Sequence, residues 1–258
     1  MPDPGAQDLL RTEALSKHFR GLQVNRDISL SIPAGRRHAI IGPNGAGKTT
    51  LFNLLAGELA PSAGRIFLEG QDITRRRPDQ RARLGLSRSF QKNNLFEAET
   101  VRSNLLLADI ARRGYGHVFW RRLSAGRAAQ EKAEEIAAAV QLQDHLARPV
   151  RELSYGACRQ LEVGLALMAA PRLLLLDEPT SGMSPEETGL MMRLIDSLPA
   201  DLTILIIEHE MDVVFAHAER ITVLNYGEVL LEGTPDEVRR SEVVQRTYLG
   251  IAEEEGSA

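Results

Sequence analysis

Residues 42–50, Gly-Pro-Asn-Gly-Ala-Gly-Lys-Thr-Thr, constrain this chain more than any other stretch. They fit G-x-x-x-x-G-K-[ST], a glycine loop whose backbone N–H groups cradle phosphate. The flanks fit as well. Arg37–Ile41 reads as a short buried strand, and Thr49 to Glu58, with Leu51, Leu54 and Leu55 on one face, reads as a helix. A strand that passes through a glycine turn into a helix aims N–H groups and the positive helix end at one point. A polyphosphate is the anion that fills such a point. Gly42, Gly45 and Gly47 let the backbone close without Cβ clashes, with Pro43, Asn44 and Ala46 between them. Lys48 has the reach for β- and γ-phosphates, and the Thr49 hydroxyl can ligate Mg²⁺.

A second stretch completes the first. Arg172 to Glu178 is a continuous apolar run closing on two carboxylates, Asp177 and Glu178. Strands of this kind lie beside the glycine-loop strand and carry a Mg²⁺-binding Asp at their C-terminal end. An acid directly after it can orient and activate water. Leu202 to Ile207 is another buried strand, followed by Glu208-His209-Glu210.

The rest of the chain supplies alternating strands and helices, which predicts a mainly parallel α/β sheet. Leu9 to Phe19 reads as a first strand and turn, and Ile28, Leu30 and Ile32 alternate as a strand. Pro61-Ser62-Ala63-Gly64 reads as a turn, and Ile66 and Leu68 as a short edge strand ending at Gly70. These are small antiparallel additions in the N-terminal half. Thr100 to about Arg148 is helical in character, interrupted by an aromatic and basic island, Tyr115 to Arg122, that reads as a hinge or a partner-facing loop. Leu153-Ser154-Tyr155-Gly156 opens a further helix, Ser184-Pro185-Glu186 another, Ile221 to Leu231 reads as a hairpin turning near Asn225-Tyr226-Gly227, and the tail from Pro235 is helical and charged.

Composition removes several alternatives. The 258 residues suffice for a large core. A net charge of −4 gives no polybasic argument for nucleic acid. Arg75, Arg76, Arg77, Arg81, Arg83 and Arg88 form a basic run that reads either as a solvated face or as a contact for phosphate or lipid headgroups; the acidic balance favours the solvated face. The single cysteine, Cys158, excludes an internal disulfide and suits a reducing compartment. No signal-peptide pattern is visible, and no apolar run reaches the ~18 residues of a membrane span.

Taken together and in order, these segments resemble the ATP-binding cassette (ABC) ATPases. The glycine loop and the Asp-Glu strand resemble the Walker A and Walker B elements. Leu153-Ser154-Tyr155-Gly156, about twenty residues before the Asp-Glu pair, resembles the family signature. Gln91 resembles the Q-loop glutamine, Ser181-Gly182-Met183-Ser184 the D-loop, His209 the switch histidine, and Phe19 the aromatic that stacks on adenine. Tyr155 stands where many members have Gly, Ala157 where many have Gln, and Ser184 and Glu210 where Asp is common.

The resemblance implies a P-loop NTPase (RecA-like) α/β fold, with an N-terminal antiparallel β subdomain and an inserted helical subdomain. It implies a single domain over 1–258: a nucleotide-binding core in 9–92 and 160–235, a helical signature subdomain in 93–159, and a helical tail in 236–258. ATP and Mg²⁺ are the implied ligands. Thr49, Gln91 and Asp177 would serve the metal, Glu178 would be the base, His209 would hold the γ-phosphate, and Thr50 would contact the α-phosphate. Ser154 and Gly156 would face the γ-phosphate bound by the other subunit of a head-to-tail dimer.

Within the family, Leu-Ser-Tyr-Gly, Leu95-Phe96 after the Q-loop, residues 208–215 and Tyr248-Leu249-Gly250 resemble the larger ATPase subunit of branched-chain amino acid importers. The implied partners are integral membrane permease subunits, an identical or paralogous ATPase, and indirectly an extracytoplasmic solute-binding protein, with no nucleic acid. The implied location is the cytoplasmic face of a bacterial-type inner membrane. Urea, amide or envelope-lipid transport, or a soluble ABC ATPase outside transport, are the alternatives.

Overall fold

The computed structural model describes residues 8–89, 95–113 and 126–249. In chain order the elements are β1 (Asp8–Phe19), β2 (Leu22–Ile28), β3 (Ser31–Pro33), β4 (Arg37–Ile41), α1 (Lys48–Ala56), β5 (Ala63–Leu68), β6 (Gln71–Asp72), α2 (Pro78–Arg83), β7 (Leu86–Arg88), α3 (Val101–Arg113), α4 (Arg127–Ala139), α5 (Tyr155–Leu167), β8 (Leu173–Asp177), α6 (Pro185–Ser197), β9 (Thr203–Ile207), α7 (Met211–His217), β10 (Arg220–Asn225), β11 (Glu228–Gly233), α8 (Pro235–Arg240) and α9 (Glu242–Leu249). Two short 3-10 turns, Gln143–His145 and Val150–Glu152, precede α5.

The main sheet runs β11-β10-β4-β9-β8-β7. The pairs β10–β4, β4–β9, β9–β8 and β8–β7 are parallel; only β11 is antiparallel, as the outer arm of a hairpin. The central strands are apolar on both faces because both faces are covered. Side chains alternate across them. Leu173 and Leu175 of β8 and Leu205 and Ile207 of β9 join the core that holds Leu51, Phe52, Leu54 and Leu55 of α1. Leu174, Leu176, Ile204 and Ile206 join the opposite core, with α3, α4, α5 and α6. Each large apolar side chain buried this way contributes about 1.5–3 kcal/mol.

The second sheet is antiparallel, β2-β1-β5-β6 with β3 also on β1. Its long strand β1 shows register shifts against both β2 and β5. Two expectations are corrected here. Ala63 and Gly64 belong to β5 rather than to a turn, and β5 lies between β1 and β6 rather than at the edge. Gly64 takes φ +85, and a Cβ there would stand 2.4 Å from the Ala14 carbonyl oxygen. That glycine marks close backbone approach at an irregular point of pairing, which is why it reads as a turn in sequence.

The basic run is corrected in part. Arg75, Arg76 and Arg77 are exposed, but Arg81 is buried. Its guanidinium donates to the carbonyls of Leu54, Leu55, Arg76 and Thr74. Leu54 and Leu55 carry carbonyls of the last turn of α1, so a fixed cation sits at the negative end of that helix. Burial without a carboxylate partner at the guanidinium lowers its pKa to about 10, still far above neutrality.

His38 sits in β4, and its Nε2 lies 2.7 Å from Thr222 Oγ1. Burial, and secondarily the Arg220 charge, lowers its pKa from 6.5 to about 4. The unfolded imidazole takes a proton below 6.5, whereas the buried one resists until about 4. Stability from this site is therefore present above 6.5 and lost as pH falls toward 4. At pH 5 the loss is about 2 kcal/mol. Urea unfolding at pH 7.5 and pH 5 tests this: His38→Gln loses less stability on acidification than the wild type by about that amount. Equal losses would contradict it.

Candidate functional site

The glycine loop lies between the C-terminal end of β4 and the N-terminus of α1. Gly42, Ala46, Gly47 and Lys48 are buried, Pro43 and Thr50 half-buried, and Asn44, Gly45 and Thr49 exposed. Gly47 caps α1 in the left-handed region, at φ 96. A Cβ on it would come 2.6 Å from Asn25 Nδ2 and 2.7 Å from the Val24 carbonyl oxygen. The loop is braced from outside. Asn25 Nδ2 donates to the Gly47 carbonyl at 3.1 Å, and the Gly227 N–H donates to the Ala46 carbonyl at 3.1 Å. Gly227, in the β10–β11 turn, in turn accepts from the Arg26 N–H. The antiparallel sheet and the terminal hairpin thus hold the loop in place.

Parallel strands β4, β9 and β8 end side by side, and so their C-terminal residues converge. Asp177 is the last residue of β8 and pairs in register with Ile207, the last of β9. Lys48 Nζ donates to the Gly42 and Pro43 carbonyls. Burial lowers its pKa, against the opposing pull of the nearby Glu178 and Asp177 charges. Lys48 and the two carboxylates therefore act on one another across the loop, although they are separated by about 130 residues of sequence.

Asp177 carries two different oxygens. Oδ2 accepts from Arg88 at 2.7 Å. Oδ1 is buried with no hydrogen-bond partner. Burial raises the Asp177 pKa, and Arg88 pulls it back. An orphaned, buried carboxylate oxygen is what an oxygen-seeking cation would satisfy. Among the described residues no three His, Cys, Asp or Glu side chains form a cage. That donor set fits Mg²⁺, which takes one or two protein ligands and completes its shell with phosphate and water. Asp177 and the Thr49 hydroxyl could hold it.

Glu178 follows in the left-handed region, at φ 48. A non-glycine residue there costs of order 1–3 kcal/mol and persists only where neighbours hold it. Its N–H donates to the Ile207 carbonyl at 2.9 Å, and its carbonyl accepts from the Ser181 N–H at 3.1 Å. His209, half-exposed, follows β9 with Glu208 between them. Phe19 ends β1 at 42 % exposure, with Lys17 over its ring. Gln91 lies outside the described residues, as does the Tyr115 to Arg122 island.

Ser154 and Gly156 lie at the start of α5. Ser154 is exposed and is the N-cap, its Oγ accepting from the Ala157 N–H. Gly156 packs against α6: a Cβ on it would come 3.0 Å from Glu187 Oε1. Glu187 and Ser184 form a capping box at the start of that helix.

Two residues escaped the motif reading. Arg88, nearly buried, ties Asp177 to Asn53 of α1 and to Glu58. Glu208, buried, accepts from the Thr180 N–H and hydroxyl and from the His209 N–H. Its burial raises its pKa. Charged residues beside the motifs were the available signal: one three positions before Gln91, the other directly before His209.

Comparison with known proteins gives consistent matches. The ABC transporter family matches residues 25–181. The chain is 39% identical over 255 residues to a high-affinity branched-chain amino acid transport ATP-binding protein, LivG, of Salmonella typhimurium, covering 96% of this chain and 100% of that one. It is 36% identical over 259 residues to the corresponding protein BraF of Pseudomonas aeruginosa, at the same coverages. The crystal structure of the ADP conformation of MJ1267, an ATP-binding cassette of an ABC transporter, superposes with a TM-score of 0.86 at 31% identity, covering 94% of this chain and 99% of that one. Matched over more than half its length, and aligned end to end with such relatives, the chain belongs to the ABC transporter family.

Proposed function

We propose that the chain is the ATP-binding and ATP-hydrolysing subunit of an importer that energises uptake of branched-chain or similar hydrophobic amino acids. The convergence of Lys48, Asp177 and Glu178 at the ends of parallel strands carries the ATPase half of this reading. The names of full-length relatives carry the cargo.

The roles are those that the family resemblance implies, set on this geometry. The loop from Gly42 to Gly47 offers its backbone to the phosphates. Lys48, held by its own loop carbonyls, exchanges them for phosphate oxygens. Thr49 and the free oxygen of Asp177 would hold Mg²⁺, which would offset phosphate charge and polarise the transferred group. Arg88 fixes the other Asp177 oxygen and so sets the direction of the free one. Glu178 takes a proton from the attacking water, and its strained backbone keeps the carboxylate at the strand end. His209 holds the γ-phosphate, with its backbone N–H anchored by Glu208. Thr50 lies beside the α-phosphate, Phe19 stacks on the base, and Gln91 senses metal and water. Ser154 and Gly156 present a capped helix end to the nucleotide of an identical or paralogous subunit.

The membrane partner docks elsewhere. No helix among the described residues is long and apolar enough to cross a membrane. Phe96 is 58% exposed. Its backbone is clamped on both sides by the buried Asn104 side chain, at 2.8 and 3.1 Å, so the ring is held at the surface. Beside it, a cavity of about 270 Å³ is lined by Leu95, Glu97, Arg151 and Arg159 among others. An exposed aromatic on a fixed backbone next to a polar-rimmed cleft suits an integral membrane permease segment at the cytoplasmic face.

Two experiments test the halves separately. Glu178→Gln retains Mg·ATP binding while turnover falls about 100-fold or more, as loss of a general base requires. Unchanged turnover would end that assignment. Phe96→Asp abolishes co-purification with the permease subunits at unchanged thermal stability; undiminished co-purification would remove Phe96 from the docking surface.

A further inference from the structure

The turn that follows Glu178 is held by its own bonds, by buried Glu208 on the Thr180 N–H and hydroxyl, and by the start of α5. Its own bonds are short-range: the Ser181 N–H donates to the Glu178 carbonyl, and the Met183 N–H donates to the Thr180 carbonyl at 3.1 Å. The hold on the Ser181 carbonyl comes from the start of α5. The Tyr155 hydroxyl donates to the Ser181 carbonyl at 3.0 Å. That hydroxyl accepts from Arg159 Nε at 3.0 Å and from its second terminal nitrogen at 2.8 Å. Arg159 is in turn fixed by buried Glu162 at 2.8 Å. Arg159 thus donates both to Glu162 and to the Tyr155 hydroxyl, and from Arg159 through Tyr155 to Ser181 the bonds run in one direction, a cation polarising a hydroxyl toward a carbonyl.

The local sequence suits this contact. Gly182 takes φ +79, and a Cβ there would stand 3.4 Å from the Tyr155 hydroxyl oxygen. The aromatic ring thus lies flush against the turn, with Arg159 also over its face at 5.2 Å. Gly156 meets Glu187, the capping residue of α6, one position further along. The signature segment and the turn after Glu178 are therefore joined through adjacent residues of a single helix start.

We propose that Tyr155 is a positioning residue for Glu178. Its hydroxyl, oriented by Arg159, fixes the Ser181 carbonyl and with it the turn whose first residue is Glu178. Tyr155 touches neither nucleotide nor metal in this account; it acts through the backbone between 178 and 184. Arg159 and Glu162 also line the cavity beside Phe96. An occupant of that cavity that drew Arg159 away would loosen the same turn.

The positioning role rests on reading Glu178 as the base, and the test separates the two. Hydrogen–deuterium exchange is followed by mass spectrometry on the full chain, with steady-state ATPase kinetics beside it. In Tyr155→Phe, amides in the 179–184 segment exchange about fivefold faster, the effect of one lost hydrogen bond. Segments from β4 and β9 exchange at wild-type rates. kcat falls while KM for ATP stays within about twofold, as expected for loss of an interaction that does not bind substrate. Arg159→Met speeds the same segment, and the double variant is no faster than Tyr155→Phe alone, because the two act in one chain. Wild-type exchange in 179–184 would overturn the proposal. So would equal acceleration in β4 and β9, which is general destabilisation, or faster exchange with unchanged kcat. A local acceleration with reduced kcat in a protein whose Glu178→Gln form turns over normally would keep the positioning role and remove the base assignment.

Discussion

Opposite charges brought together at the ends of parallel strands are the condition on which the site depends. Lys48 loses water on entering the loop, and burial alone would favour its neutral form. Glu178 and Asp177 oppose that loss. Asp177 has the same difficulty with the sign reversed, and Arg88 answers it. An unpaired buried charge costs several kcal/mol, and Lys48 and Asp177 are each buried beside a charge of opposite sign. One carboxylate oxygen, Oδ1 of Asp177, is left unmatched.

The rest of the molecule serves that arrangement. The main sheet sets β4, β9 and β8 in parallel so that their ends coincide, and two apolar cores clamp it from either face. Arg81 satisfies the carbonyl end of α1 while the glycine loop holds its N–H end. The antiparallel sheet and the β10–β11 turn brace the loop through Asn25 and Gly227. Glu178 occupies the left-handed region beside the convergence, held by bonds on both sides.

The parts of this design readable from sequence are those with local signatures. The runs at Arg37–Ile41, Leu173–Asp177 and Thr203–Ile207 are each short, apolar and ended by polar residues, and each is a strand. Ser154 and Ser184 announced helix starts through capping chemistry. Long-range pairings were not legible. Arg81 looks like one of six similar surface arginines, because nothing local says that the carbonyls of Leu54 and Leu55 need a donor. Arg88 meets Asp177 across 89 residues, and Thr180 meets Glu208 across 28. Ala63 and Gly64 carry turn composition yet pair in β5, since tertiary contact with β1 outweighs propensity there. Tyr155 stood out only as a departure from the family pattern, and its contact with Ser181 gives that departure a physical content.

The most direct test of the proposed metal and phosphate site is chemical mapping of the cation itself. With Fe²⁺ replacing Mg²⁺ in the presence of ATP and ascorbate, hydroxyl radicals cut the backbone beside the bound ion. The account predicts ATP-dependent cuts near Thr49 and near Asp177, on two segments far apart in the chain, with both suppressed by excess Mg²⁺. Cuts confined to other segments, or cuts at these two that persist without nucleotide and resist Mg²⁺, would contradict it.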